Sequence, residues 1–147
     1  MKEVKYSIYR PAGNDTALVY GVYYSKKEKK IINDEIMKKH SNVEQVGFVS
    51  LDKNPELQMA GGEFCGNATR STAFMYLNGK KGDLEIIINS NNIINAGVYD
   101  NKKAWCEIPL LNTTDTIIKK DDGIFIVKKE KALYNQVDTK IIFKSLK

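Results

Sequence analysis

The residue best suited to chemistry is Cys65, in the segment Met59-Ala-Gly-Gly-Glu-Phe-Cys-Gly-Asn-Ala-Thr-Arg70. The pattern predicts a strand that ends in two glycines and a helix that begins just after the cysteine. Glycines there permit a tight turn and let a ligand approach the main chain closely. A thiol at a helix N-terminus meets unsatisfied N–H groups and the positive end of the dipole, both of which favour thiolate. We therefore expect a lowered thiol pKa, and a place for a carboxylate on the same N–H groups.

The alternative interpretation of Cys65 is a small buried hydrophobic residue, as most lone cysteines are. Cys106, in Ala104-Trp-Cys-Glu-Ile-Pro109, lies mid-strand without a glycine turn or a helix start. We interpret it as structural. His40 is interpreted as a residue near a helix C-terminus that interacts with the helix dipole.

Hydrophobic periodicity and turn residues predict the elements that must position Cys65. Ser25 and Glu28 form a capping-box pattern that opens a first helix. A short second helix is predicted from about Asn67 to Leu77, burying Ala73, Phe74 and Leu77 and stopping at Asn78-Gly79. The predicted strands cover residues 4–9, 17–23, 43–51, 56–60, 84–89, 93–99, 104–110, 117–118 and 124–127. The expected fold class is α+β, with an antiparallel, barrel-like sheet around one buried helix.

Composition excludes several classes of protein. The chain has 147 residues and a net charge of +5, but its lysines are scattered in doublets and its only arginines are Arg10 and Arg70. No basic-aromatic stripe suited to nucleic acid is present. Since no apolar run approaches the roughly 18 residues needed to span a bilayer, we expect a soluble cytoplasmic protein with both cysteines as free thiols.

Four blocks of sequence, in the right order over about 110 residues, resemble the diaminopimelate epimerase family of amino-acid racemases and epimerases. Glu63-Phe-Cys-Gly-Asn-Ala-Thr69 resembles the family's first catalytic-cysteine motif, and Tyr9-Arg-Pro-Ala-Gly-Asn-Asp15 its N-terminal substrate loop. Glu44-Gln-Val-Gly-Phe48 is similar to its glutamine-bearing strand, and Trp105-Cys-Glu-Ile-Pro109 to the strand that closes its first domain. The wording of the cysteine motif is closer to histidine racemases than to true diaminopimelate epimerases.

The resemblance implies a reaction that uses neither pyridoxal phosphate nor a metal. In the family, two cysteines from two similar domains face each other across the α-carbon of the substrate. One thiolate removes the α-proton and the opposite thiol delivers a proton to the other face. Carried over by position, Cys65 is one of these thiols.

The same resemblance implies the substrate-binding residues. The backbone of Gly66 and Asn67 would hold the α-carboxylate, and Asn14 and Gln45 would line the pocket. Gln58 would take the place of a further substrate-binding asparagine, at a shorter spacing than in the family. Two ordinary alternatives remain open: Asn14 as a turn former and Gln45 as an outward-facing strand residue.

The sequence departs from the family after Pro109, because the second cysteine motif is absent from the remaining residues. We interpret residues 1–112 as the N-terminal epimerase or racemase domain. Residues 113–147 would be a strand and a lysine-rich tail, a truncated entry to a missing second domain. Three hypotheses follow: half of an amino-acid racemase whose other half is a second polypeptide, a non-catalytic remnant or amino-acid-binding domain, and a homodimer that pairs two Cys65 thiols. The isolated chain is expected to be inactive.

Overall fold

The computed structural model describes residues 3–108 in full and, beyond them, the backbone of residues 110–120, 123–132 and 139–145. The chain divides into two compact units, Met1–Ile108 and Pro109–Lys147. The first unit contains all the residues that the sequence analysis assigns to a site.

A single sheet of seven strands, arranged in chain order, forms the first unit together with two helices and is curled into a half-barrel. The strands are Tyr6–Tyr9 (β1), Asp15–Tyr20 (β2), Val43–Ser50 (β3), Glu56–Met59 (β4), Gly82–Ile88 (β5), Asn92–Val98 (β6) and Ala104–Cys106 (β7). The helices are Lys26–Lys39 (α1) and Gly66–Tyr76 (α2). A mixed α and β architecture is confirmed.

The expectation of a wholly antiparallel sheet is wrong for two strand pairs. Strands β2 and β3 are parallel, and so are β4 and β5. A helix lies between the two strands of each parallel pair, and such a crossover returns the chain to the edge where the previous strand began. The sheet is therefore mixed, with α1 and α2 as its two crossovers.

Helix α2 lies against the concave side of the sheet, where it contacts strands β2 to β7. Its buried residues are small: Ala68, Thr69, Ser71, Thr72 and Ala73. Phe74 and Leu77, which we expected to be buried, are half-buried. The two buried threonine hydroxyls are satisfied within the helix, since they donate to main-chain carbonyls one turn back at 2.8 Å. Small side chains allow the sheet to approach this helix closely on several sides.

Helix α1 covers the opposite face of β3. It begins as predicted with a reciprocal capping box, in which the Ser25 hydroxyl accepts from the Glu28 amide and the Glu28 carboxylate accepts from the Ser25 amide. Ile36 of this helix belongs to one hydrophobic cluster with Val46 and Phe48. Because side chains alternate along a strand, Gln45, Gly47 and Val49 of β3 face α2. Val43, which precedes a shift in the strand register, belongs to the cluster on the α1 side.

In the second unit, the residues that the structure describes form three antiparallel strands, in the spatial order β10-β9-β8. They are Leu110–Lys120 (β8), Gly123–Ala132 (β9) and Thr139–Ser145 (β10). The short strands predicted at 117–118 and 124–127 lie within β8 and β9, and both extend further than predicted. The lysine-rich tail, for which no strand was predicted, contains β10.

Candidate active site

Cys65 is the N-cap residue of α2, as the sequence predicts. Its backbone is extended, with φ −133° and ψ 110°, and its Sγ accepts a hydrogen bond from the Ala68 amide at 3.4 Å. Its carbonyl oxygen accepts from both the amide and the hydroxyl of Thr69, at 3.0 and 2.8 Å. The first turn of α2 therefore fixes both the side chain and the main chain of this residue.

A second contact links the thiol to strand β3 of the sheet. The Sγ of Cys65 donates to Oε1 of Gln45 at 3.0 Å, and the hydroxyl of Thr16 reaches the same oxygen at 3.4 Å. Thr16 is fully buried and is the direct partner of Gln45 in the parallel β2–β3 ladder. The parallel pairing thus sets two polar side chains side by side on the face that α2 covers.

The expected lowering of the Cys65 pKa is wrong. Burial raises the pKa of this thiol, since the residue is only 8% exposed. The amides of Ala68 and Asn67 lower the pKa, Glu63 raises it and Arg70 lowers it, but burial has the largest effect. Desolvation of the charged form outweighs the helix N-terminus here. Cys65 is therefore a protonated thiol near neutral pH, which agrees with its role as donor to Gln45.

Cys106 is the last residue of β7 and lies against the start of the same helix. Its Sγ donates to the Gly66 carbonyl oxygen at 3.7 Å. Burial raises the pKa of this thiol to about 11. It lies at a strand end, and not in the middle of a strand running to Leu110 as predicted, and it is half-buried. Cys106 is thus a second protonated thiol near the start of α2.

The other predicted site residues lie in two places. Gly66 and Asn67 form the first turn of α2, where the Asn67 amide lowers the pKa of Cys65 and its side-chain oxygen accepts from the Arg70 guanidinium. Asn14 ends the short 3-10 turn Pro11–Gly13 and its amide donates to the Pro11 carbonyl at 3.1 Å. It is two residues upstream of Thr16, at the same end of the sheet as Gln45.

The structure does not bring Gln58 to this group. Gln58 pairs across the β3–β4 ladder with Phe48, on the α1 side of the sheet. Its side-chain amide belongs there to a partly exposed polar network: it accepts from the Lys29 ammonium and donates to Glu56 and Ser90 at 2.7 and 3.0 Å. The Gln58 side chain therefore lies on the face of the sheet opposite Cys65.

A surface cleft of about 780 Å³ connects the thiol's partner to solvent. Gln45, Gly61 and Glu63 line it, together with polar residues of α1. Among the predicted site residues, only Gln45 lines this cleft. Within the fully described residues 3–108, no group of three or more His, Cys, Asp or Glu side chains is arranged to hold a metal ion. In the same part of the chain, no helix combines the length and apolar character needed to cross a membrane.

A family model described as the histidine racemase CntK N-terminal domain matches residues 3–113. The chain belongs to this family. It is similar to a histidine racemase of Staphylococcus aureus (strain Mu50 / ATCC 700699), with 38% identity over 73 residues, covering 46% of the chain and 27% of the relative. It is also similar to a histidine racemase of Fusobacterium nucleatum subsp. nucleatum (strain ATCC 23726 / VPI 4351), with 48% identity over 64 residues, covering 43% and 23% respectively. The matched segments span about a quarter of each relative's length.

Three residues that hold the site together were not predicted from the sequence. Thr16 supports Gln45, Arg70 binds the side chain of Asn67, and Asn89 binds the loop before Cys65. Thr16 directly follows the Asn14-Asp15 block, and Arg70 lies one helical turn after Asn67, so both had a local signal. Asn89 is distant in sequence, and only its place in a run of asparagines marks it as a turn residue.

Proposed function

We propose that this chain supplies one acid/base thiol, Cys65, of a cofactor-independent amino-acid racemase that acts in the cytoplasm. The names of its relatives make histidine the substrate to test first. One observation carries the proposal: Cys65 caps α2 while its Sγ also donates to Gln45, a residue that lines a surface cleft. The histidine racemase N-terminal domain family supports the same reaction class.

The protonation state of Cys65 gives it the role of the acid. Inversion at an α-carbon requires a base on one face and an acid on the other, each within hydrogen-bond reach. A thiol whose pKa is raised by burial keeps its proton near neutral pH, so it is ready to deliver it to the α-carbon. The start of α2 at Gly66 and Asn67, with its positive dipole end, would receive the α-carboxylate and stabilise the carbanionic species.

The base must then be a second group on the opposite face of the substrate. Cys106 is not assigned this role, because its Sγ donates to the Gly66 carbonyl oxygen at the start of the same helix as Cys65. We propose that a second cysteine comes from a C-terminal half carried on another polypeptide. A pair of identical chains offers an alternative, in which two Cys65 thiols face each other about a two-fold axis.

A non-catalytic amino-acid-binding domain is the second candidate function. The observation that favours it is the burial of Cys65, which lowers the thiolate population that general-base catalysis requires. Such a domain would use the start of α2 and Gln45 to bind an amino acid, without exchanging its α-proton.

The deciding experiment measures racemisation of L-histidine in deuterium oxide, with and without the C-terminal half of a histidine racemase that carries the second cysteine. The chain alone should be inactive, because a proton returned to the same face regenerates the starting enantiomer. The mixture should form D-histidine with deuterium at the α-carbon. Cys65→Ser should abolish this activity and the matched variant Cys106→Ser should retain it.

Sedimentation must accompany the assay, because a dimer of this chain is the alternative. Racemisation by a chain that sedimentation shows to be a dimer would support the pairing of two Cys65 thiols. Racemisation by a strictly monomeric chain, lost in Cys65→Ser, would overturn the two-thiol argument. Histidine binding without exchange in the mixture would favour the non-catalytic domain.

A further inference from the structure

The loop that leads into Cys65 is held by one side chain from a distant part of the chain. Asn89 lies in the turn between β5 and β6. Its Oδ1 accepts from the Met59 amide at 3.1 Å, and its Nδ2 donates to the carbonyl oxygens of Gly62 and Glu63 at 2.9 and 3.1 Å. Three main-chain groups on both sides of a tight turn thus depend on this amide.

Asn89 is itself fixed in place. Its main-chain amide donates to the Leu57 carbonyl at 2.9 Å, at the edge of β4. Its φ is +47°, a left-handed conformation that asparagine adopts more readily than most residues. The side chain and the backbone conformation therefore both favour asparagine here.

The loop is also held by a hydrogen bond within its own turn. Gly62 has a φ of +78° and its amide donates to the Met59 carbonyl at 3.0 Å, which closes the turn. Glu63 then precedes Cys65 by two residues. A change in the backbone path at Glu63 would therefore displace Cys65 from the N-cap position of α2 and from its contact with Gln45.

We propose that Asn89 is a positioning residue for Cys65. It does not touch the thiol; it sets the path of residues 59–63 so that Sγ caps α2 and meets Gln45. Its importance for proton transfer rests on the proposed function. In that function, displacement of a reacting thiol by about 1 Å would be enough to lose most of the rate of proton transfer. Its effect on the geometry of the thiol does not depend on any catalytic role.

The test compares three variants of the full chain. Asn89→Asp keeps the acceptor for Met59 and the shape of the side chain but loses both donors. Asn89→Gly keeps the positive φ and removes the side chain. Asn78→Gly is the matched control, since Asn78 also has a positive φ, of +54°, but lies at the far end of α2.

Amide hydrogen exchange reports the position of Cys65 directly, because the Ala68 amide is bonded to its Sγ. In both Asn89 variants, exchange at Ala68 should accelerate roughly ten-fold, the effect of losing about one to two hydrogen bonds. Exchange at Ala73, in the buried middle of α2, should change less. The pH midpoint of Cys65 alkylation should fall toward that of an ordinary thiol, since a loosened loop exposes the sulfur. Asn78→Gly should leave Ala68 exchange and the midpoint unchanged.

Equal acceleration at Ala68 and Ala73 in the Asn89 variants would show that Asn89 only stabilises the fold, and would overturn the proposal. So would unchanged exchange at Ala68. If Asn89→Gly does not fold, Asn89→Asp alone decides, through the acceleration of exchange at Ala68 compared with that at Ala73. The proposed function fails in a different way: a mixture with the C-terminal half that forms no D-histidine, or that keeps its activity in Cys65→Ser, would refute it whatever the exchange data show for Asn89.

Discussion

Replacing Cys65 by alanine and by serine should separate its structural role from its chemistry. The structure gives the sulfur two hydrogen bonds, one accepted from Ala68 and one donated to Gln45. A serine hydroxyl can make both, and serine is among the preferred N-cap residues. Alanine can make neither. We therefore expect Cys65→Ser to be close to wild type in stability and Cys65→Ala to be clearly destabilised.

The magnitude follows from the lost contacts. Removing an N-cap costs about 1 kcal/mol. Loss of the second hydrogen bond costs about 1 kcal/mol more, moderated because the hydroxyl of Thr16 still reaches the oxygen of Gln45. Cys65→Ala should lower the free energy of unfolding by about 2 kcal/mol, and Cys65→Ser by less than about 1 kcal/mol.

Urea unfolding followed by the fluorescence of Trp105, the single tryptophan, measures both values. The same two substitutions at Cys106 are the control, because that thiol caps no helix and only donates to a carbonyl at 3.7 Å. The alanine–serine difference should be larger at position 65 than at position 106. Equal differences at the two positions would refute the capping role. If serine preserves the fold, any activity lost in Cys65→Ser is assigned to the thiol.

Two further predictions concern charge. Burial raises the pKa of Cys65 and that of Cys106, the latter to about 11, so the folded chain keeps protons that the unfolded chain loses above about pH 8.5. This stabilisation is complete below the unfolded pKa and is lost as pH rises toward the folded pKa. Urea titrations from about pH 7 to 10.5 should therefore show a free energy of unfolding that declines with pH, and the decline should be shallower in Cys106→Ala. Identical slopes in the two proteins would contradict this prediction. Asn67→Asp should abolish any histidine binding measured by calorimetry, since the new charge faces the substrate carboxylate, whereas an unchanged isotherm would place the ligand elsewhere.

The features that the sequence predicts well depend on neighbouring residues. The capping box of Ser25 and Glu28 forms as expected, and α2 begins directly after Cys65. In both cases the residues that define the helix start lie within one turn of it. A capping residue and a glycine turn act over such short distances that tertiary structure need not alter them.

The features that the sequence does not predict depend on pairing between distant segments. Whether β2 and β3 run parallel depends on where α1 packs, which no local pattern states. The side chain of Asn89 reaches Gly62 across 27 residues. The direction of the Cys65 pKa shift is likewise a tertiary property, because burial between α2 and the sheet opposes the local effect of the helix start.

The protonated state of Cys65 follows from its burial and agrees with its contact with Gln45. Burial disfavours the charged form of the sulfur. Its contact with Oε1 of Gln45 at 3.0 Å agrees with this state, since a protonated sulfur can donate to a carbonyl oxygen. Thr16 adds a hydroxyl to the same oxygen and so helps to keep that acceptor turned toward the thiol. The fold thus holds Cys65 as a proton donor, and in the proposed reaction the base is a second group on the opposite face of the substrate.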